Sequence, residues 1–333
     1  MIQLVDKFER VHDYLRISLT DKCNLKCLYC NPDGDIQKLF HSQILTYDEL
    51  TRLIKIFVSR LGTKKIRLTG GEPLARKDIL SFFESLYEFK KKNPFQLCVT
   101  TNGTLLEDKI EMLKYWGLDK INISLDSLQR NRFEKITGAD CLETVLRSID
   151  LAEKLNFTPV KINVVVMRGI NDDEILDFVE FVKDRDMNIR FIEFMPFSDN
   201  RWNESSFISY DEIKNIISEK YDLVQIQHEV QRVAKDFKIK NHKATVSFIS
   251  SISNHFCGSC NRLRITSSGK LKLCLFTPIN EELDLRKLLR SDDFSDDEIV
   301  RFINNSLDKK NFQHPDVGEL LKLEKNNMLA IGG

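Results

Sequence analysis

The chain has 333 residues, 42% hydrophobic and 30% charged, an ordinary soluble composition with room for one large core or two unequal domains. Lys plus Arg and Asp plus Glu number 50 each, so the formal net charge is zero and the basic excess usual in a nucleic-acid binder is missing. The opening "MIQLVDKFERVHDYL" is charged throughout and apolar runs such as "INVVVM" are far too short for a bilayer, so a cytoplasmic chain with neither membrane nor nucleic acid as partner is expected.

Residues 14–200 alternate regularly. "YLRISLT" (14–20) predicts a strand. Thr46 and Glu49 form a capping box before a helix whose Leu50, Leu53, Ile54, Phe57 and Val58 share one face. Strands follow at 65–69, 95–100, 120–127, 160–167 and 189–196, with helices at 77–92, at 106–117 (stopped by Gly117), in stretches up to about 156, and at 172–185. Several strands read as apolar on both faces, as buried parallel strands do. Six β/α units define an α/β fold, either an open doubly wound sheet or a barrel. After about residue 200 the pattern changes to one helix at 210–220 and short strands in "VQIQHEV", "DFKIK" and "ATVSFISSI". A hairpin follows, "RLRIT" and "KLKLCLF" around "SSG", then helices near 283–290 and 295–309 and a glycine-tipped tail, "NNMLAIGG". A division near 200–222 follows, with residues 1–220 and 221–333 as the two domains.

In either α/β architecture, chemistry gathers at the C-terminal ends of the strands. The polar motifs fall there: a cysteine loop after strand one, "TGGEP" (69–73) after strand two, "TNG" (101–103) after strand three and "LDS" (125–127) at the end of strand four.

Eight cysteines in a cytosolic chain suggest metal or redox chemistry rather than disulfides. "DKCNLKCLYC" holds Cys23, Cys27 and Cys30. A structural zinc site wants a fourth ligand close by, and the nearest, His12 and His41, are poorly spaced. Three thiolates suit a four-iron cluster with one iron open to a small molecule. Cys257, Cys260 and Cys274 make a second triad. His255 would complete a zinc ribbon there, but beside the first triad a second iron–sulfur cluster is the stronger expectation. Arg262 and Arg264 alternate with Leu263 and so share a strand face next to that triad, where their forks match phosphate oxygens; the plain alternative is a solvated face. Cys98 and Cys141 read as ordinary core or surface thiols.

A C-x3-C-x2-C loop after the first strand of a β/α series resembles the radical S-adenosylmethionine (SAM) superfamily, and "GGEP" (70–73) its SAM-amino segment. From about residue 10 to 333, "LRISLTDKCNLKCLYC", "IRLTGGEPLARKD", "TTNGTLL", "INISLDSL", "VKINVVVMRGIND", "RFIEFMP", "FCGSCNRLRIT" and the final "GG" are similar, in order, to the GTP 3′,8-cyclase family, which opens molybdenum-cofactor biosynthesis. Asn31 departs from that family's usual Met, and Ser247 and Ser251 stand where Gly and Pro are expected; residues 197–243 match weakly.

The resemblance implies a partial (β/α)6 TIM-like barrel of the radical SAM type with a smaller C-terminal α+β domain. It implies two [4Fe-4S] clusters, each on three cysteines: Cys23, Cys27 and Cys30, and Cys257, Cys260 and Cys274. SAM contacts would be Tyr29, Gly71, Ser124 and Met195. GTP contacts would be Arg16, Arg67, Thr100, Lys161, Arg262, Leu263 and Arg264. Gly332 and Gly333 would reach into the active site as a catalytic tail, against the bland alternative of a frayed terminus. The implied reaction is removal of the ribose C3′ hydrogen of GTP by a 5′-deoxyadenosyl radical and attack of C3′ on guanine C8. The product would be (8S)-3′,8-cyclo-7,8-dihydroguanosine 5′-triphosphate. Implied partners are a reducing electron donor, the product-consuming cyclic pyranopterin monophosphate synthase, and a second copy in a homodimer. Two rivals predict different contents: a peptide-modifying radical SAM enzyme with more C-terminal cysteines, and a colourless zinc-binding protein.

Overall fold

A computed structural model describes residues 2–34, 38–197, 200–228, 233–323 and 328–332. In chain order its elements are β1 (Tyr14–Ser18), α1 (Tyr47–Ser59), β2 (Lys65–Thr69), α2 (Ile79–Lys92), β3 (Gln96–Thr101), α3 (Ile110–Tyr115), β4 (Lys120–Ser124), α4 (Arg130–Thr137), α5 (Leu142–Lys154), β5 (Val160–Val166), α6 (Ile175–Val182) and β6 (Met187–Glu193). There follow α7 (Tyr210–Ser218), β7 (Leu223–Gln225), β8 (Lys235–Ile239), β9 (Thr245–Ile249), β10 (Arg262–Ile265), β11 (Lys270–Lys272), β12 (Leu283–Asp284), α8 (Leu285–Arg290), α9 (Asp296–Ser306), α10 (Val317–Lys322) and α11 (Met328–Ile331).

Local chemistry sets the boundaries. The Thr46 hydroxyl accepts from Glu49 N at 3.2 Å, and the Glu49 carboxylate accepts from Thr46 N at 2.6 Å. That box starts α1, whose Leu50, Leu53, Ile54 and Phe57 are fully buried. The helix expected over 106–117 shortens to α3, because 106–109 turn tightly: the Leu106 carbonyl accepts from both Lys109 N and Ile110 N at 2.9 Å. Gly117 ends it at φ 82°. The strands expected to reach 127 and 196 stop at Ser124 and Glu193, and the residues beyond become cavity-lining loops.

β1 to β6 pair in parallel and in sequence order. Their faces are unlike, which corrects the reading of strands apolar on both sides. Leu15 and Ile17, Ile66 and Leu68, Leu97 and Val99, Ile121 and Ile123, and Ile162 and Val164 are buried in one core. The alternate positions are polar except for Val165 on β5 and Ile192 on β6. Register aligns Arg264, Arg16, Arg67, Cys98 and Lys120 across five neighbouring strands, and Thr100, Asn122, Lys161 and Asn188 across the next row. Period-two alternation thus gives the sheet one face of hydrocarbon and one of cations and amides.

The later strands extend this same sheet. β9 joins β6 in parallel and continues as an antiparallel meander to β8 and β7; β10 joins β1 in parallel and continues to β11 and β12. The order is β12-β11-β10-β1-β2-β3-β4-β5-β6-β9-β8-β7. The strands expected in a smaller C-terminal α+β unit therefore cover both edges that six parallel strands leave open. Among the described residues no pairing joins β7 to β12, so hydrogen bonding does not close the sheet into a barrel. Ser247, on β9, fills its position with hydrogen bonds: it donates to Asp236 at 2.5 Å and accepts from Asn188 at 2.7 Å.

Candidate active site

The first cysteine loop is clamped from two sides. The "TGGEP" turn packs beneath it: Gly71 N donates to the Thr20 carbonyl at 2.7 Å and Glu72 N to the Lys22 carbonyl at 2.8 Å. A Cβ on Gly71 would lie 2.4 Å from the Lys22 oxygen, so this close approach requires glycine. On the other side Lys26 N and Leu28 N donate to the carbonyls of Thr137 and Ile136 at 2.8 and 2.9 Å. Within the loop the Cys27 carbonyl accepts from Cys30 N and Asn31 N, both at 2.9 Å, folding Cys27 and Cys30 towards one another. Burial raises all three thiols, Cys30 to about 12. Metal binding removes those protons.

Cys23, Cys27 and Cys30 line one cavity with Tyr29, Gly71, Ser124 and Met195, so the structure brings the SAM-contact candidates and the first triad together. Its charged lining residues are Asp126 and Glu193, with no Lys or Arg among the described ones. Asp126 accepts from the Tyr29 hydroxyl at 2.8 Å and from Val165 N at 2.9 Å, and burial raises it to about 6. The Glu193 carboxylate is spent on Tyr210 N, Ile252 N and Ser253 N, which leaves Asp126 as the carboxylate that favours a cationic ligand, and SAM carries a sulfonium and an ammonium.

The second triad, Cys257, Cys260 and Cys274, lines another cavity with Arg262, Arg264, His255 and His314. Burial alone would raise Cys260, but Arg262 and Lys310 outweigh it and hold the thiol near 7. Among the described residues no three His, Cys, Asp or Glu converge where a single ion would sit, His255 included. Each triad instead borders a cavity, and thiolates on different irons of a cluster need no common point.

Between the triads lies a cationic cavity lined by Arg16, Lys65, Arg67, Lys120, Lys161, Arg190, Arg262 and Arg264, with Asp236 as the carboxylate in its lining. Thr100, Asn163, Met195 and Met328 line both it and the first cavity; Arg262, Arg264 and Ser251 line both it and the second-triad cavity. The Tyr14 hydroxyl, also in its wall, accepts from Arg67 Nε at 2.7 Å and Arg16 Nη1 at 3.4 Å. Burial would raise that phenol, but Arg67, Arg16 and Lys65 bring it to about 6. Burial, then Arg190, Lys65 and Arg67, lower Lys161 to about 7. Burial, then Arg67, lowers Arg190 to about 10. Among the described residues, Asn122 Oδ1, Asn163 Oδ1 and Arg190 Nε are buried there without a hydrogen-bond partner. Crowded cations and unanswered amides fit a polyanion bearing polar edges.

Arg16, Arg67, Thr100, Lys161, Arg262 and Arg264 all face this cavity. Leu263 does not: its side chain is buried in the hydrocarbon core on the other face of β10. Gly332 is anchored inside: its carbonyl accepts from Arg264 Nη1 at 3.0 Å, φ is 77°, and a Cβ would meet Thr69 Oγ1 at 2.2 Å. Gly333 lies outside the described residues. Tyr14, Lys65, Lys120, Asn163 and Arg190 are wall residues that sequence reasoning missed, as is Glu193 in the first cavity; Asp126 lies in the "LDS" motif expected at a strand end, with no role given to it there. For the five strand residues the signal was the polar member of each alternating strand; Glu193 falls in phase with the buried Ile189 and Phe191 and had no such signal.

Residues 17–182 match the radical SAM superfamily model, and residues 187–315 the molybdenum cofactor synthesis C model. The GTP 3′,8-cyclase of Thermodesulfovibrio yellowstonii is 46% identical over 288 residues, covering 86% of this chain and 88% of that protein. The mitochondrial GTP 3′,8-cyclase of Arabidopsis thaliana is 44% identical over 333 residues, covering 99% of this chain and 83% of the relative. The chain belongs to the GTP 3′,8-cyclase family. It spans about half of other family relatives, such as molybdenum cofactor biosynthesis protein 1 of Dictyostelium discoideum, at 44% identity over 99% of this chain and 52% of that protein. The cyclase family's fold is shared by SuiB of Streptococcus suis bound to S-adenosylmethionine, with a TM-score of 0.61 at 14% identity, covering 95% of this chain and 69% of that one.

Proposed function

We propose that this chain is a radical SAM GTP 3′,8-cyclase. The observation that carries the reading is the order of sites in one interior: a thiol triad beside an anionic cavity, then a cationic cavity, then a second triad. Cys23, Cys27 and Cys30 would hold one [4Fe-4S] cluster and Cys257, Cys260 and Cys274 another. When bound, the first cluster and SAM supply a 5′-deoxyadenosyl radical.

This chain's own residues do the positioning. Tyr29, Gly71, Ser124 and Met195 would seat SAM, with Asp126 facing its positive charge. Arg16, Arg67, Lys161, Arg190, Arg262 and Arg264 would take the triphosphate, whose charge of about −4 answers their mutual repulsion. Thr100 and Met195, in the walls of both cavities, would set the ribose against the SAM side. GTP loses hydrogen from C3′, forms the C3′–C8 bond, and takes up one electron and one proton to give the cyclised triphosphate. Two atoms of one nucleotide must meet, so orientation is the main demand on the protein. α11 and the Arg264-held Gly332 would cover the site and limit entry of water. The cationic cavity favours this substrate over a peptide.

The test is anaerobic. Protein loaded with iron and sulfide, reduced and given SAM and GTP, should form 5′-deoxyadenosine only with GTP present, together with a cyclised triphosphate by mass spectrometry. Deoxyadenosine with GTP untouched would overturn the substrate; neither product from fully loaded protein would overturn the reaction class.

A further inference from the structure

Two buried cations outside the substrate cavity grip the backbone at the second triad. Arg10, 8% exposed, donates from Nη1 to the carbonyls of Cys257 and Phe312, both at 2.7 Å, and from Nη2 to the Asn311 carbonyl at 2.8 Å. Its Nε donates to Asp6 at 2.7 Å, and its guanidinium lies 5.1 and 5.8 Å from the ring centres of Phe8 and Phe312. Asp6 is fixed in turn, accepting from Phe8 N at 2.9 Å and Arg10 N at 3.1 Å and lying 3.0 Å from His12 Nε2. Lys310, 3% exposed, donates to the Leu273 carbonyl, one residue before Cys274, and to the Arg262 carbonyl at 3.4 Å, two residues after Cys260. The two side chains thus reach a carbonyl within two residues of each of the three cysteines.

We propose that Arg10 and Lys310 are positioning residues for the second triad, fixing the spacing of its thiols through their backbone and offsetting thiolate charge. This rests on the reading that the triad holds an iron–sulfur cluster. Arg and Lys offer donors only, and three of the five carbonyls they meet here, those of Cys257, Arg262 and Leu273, belong to the segments that carry the cysteines, while those of Asn311 and Phe312 tie the same cations to the adjoining loop. Groups that orient ligands from behind change metal affinity about 10- to 100-fold when removed.

The experiment uses full-length protein with Cys23→Ala, Cys27→Ala and Cys30→Ala, so that only the second triad can load. If it takes up no iron, the cluster reading itself fails, separately from this inference. With iron bound, Arg10→Met and Lys310→Met should each release iron to a chelator about ten-fold faster or more, and change the reduced cluster's EPR spectrum. Arg10→Lys, which keeps the charge but reaches fewer carbonyls, should fall between. A release rate and an EPR spectrum equal to the parent's would overturn the proposal. So would an equal loss from the first triad, measured in protein carrying the Arg10 or Lys310 change with Cys257→Ala, Cys260→Ala and Cys274→Ala, since that would show a general stabilising role.

Discussion

Lys161 sits on β5 among Arg190, Lys65 and Arg67, its ammonium lowered to about 7 by burial and those neighbours. At pH 8 it is mostly neutral in the free protein. A bound triphosphate removes the repulsion and raises it, so binding takes up a proton; the phenolate of Tyr14, near 6 when free, shifts the same way. GTP affinity should therefore decline as pH rises above about 7, and titration calorimetry at pH 8 in buffers of different ionisation enthalpy should show net proton uptake. Lys161→Met should reduce that uptake; unchanged uptake would remove Lys161 from the triphosphate site. Arg190 offers a second check. Its Nε is buried without a partner among the described residues, and a lost charge-assisted hydrogen bond is worth roughly 1.5–3 kcal/mol. Arg190→Met should weaken GTP binding about 10- to 100-fold while leaving SAM binding alone. Arg190 opens "RFIEFMP", one of the segments that carry the family resemblance, but a lone cation on a strand has no second residue at a fixed spacing to mark it as a ligand. The cysteines were legible because their spacing is itself a ligand pattern.

At the scale of elements, alternation was the overlooked signal. "YLRIS", "KIRLT" and "KINIS" each place polar side chains at every second position, and the sheet turns that into a cationic wall opposite a hydrocarbon core. A doubly wound sheet with helices on both faces would bury those charges unanswered, so the alternation favours a sheet wrapped around a polar interior. Strand positions were readable because β-branched runs and turn residues bracket them. The ends were less so, because Asp126 and Met195 follow strand-like residues yet belong to loops that face the first cavity. The Gly-Gly turn has a packing role beside any ligand contact. Gly71→Ala should force the Lys22–Cys23 backbone away from the turn, and iron analysis with EPR should show the first cluster lost and the second retained. Retention of both clusters with normal SAM affinity would contradict the packing account.

For the whole molecule, the division near residue 200 marks a change of pattern that leaves the sheet unbroken. A sequence window sees short antiparallel strands after 220; it cannot see that β9 and β10 pair in parallel with β6 and β1, because those partners are set by edges only the folded sheet exposes. The same pairing carries the second triad and Arg264 to the side of Arg16, and so makes one interior of two sequence halves. That interior has a claim to test: the ribose is held where its C3′ hydrogen meets the SAM side. The most direct measurement is a single-turnover reaction with GTP deuterated at C3′ and mass analysis of the 5′-deoxyadenosine. The account predicts deuterium in the deoxyadenosine at close to one atom per molecule of cyclised product. Deoxyadenosine free of deuterium, with the label kept in the nucleotide, would contradict it.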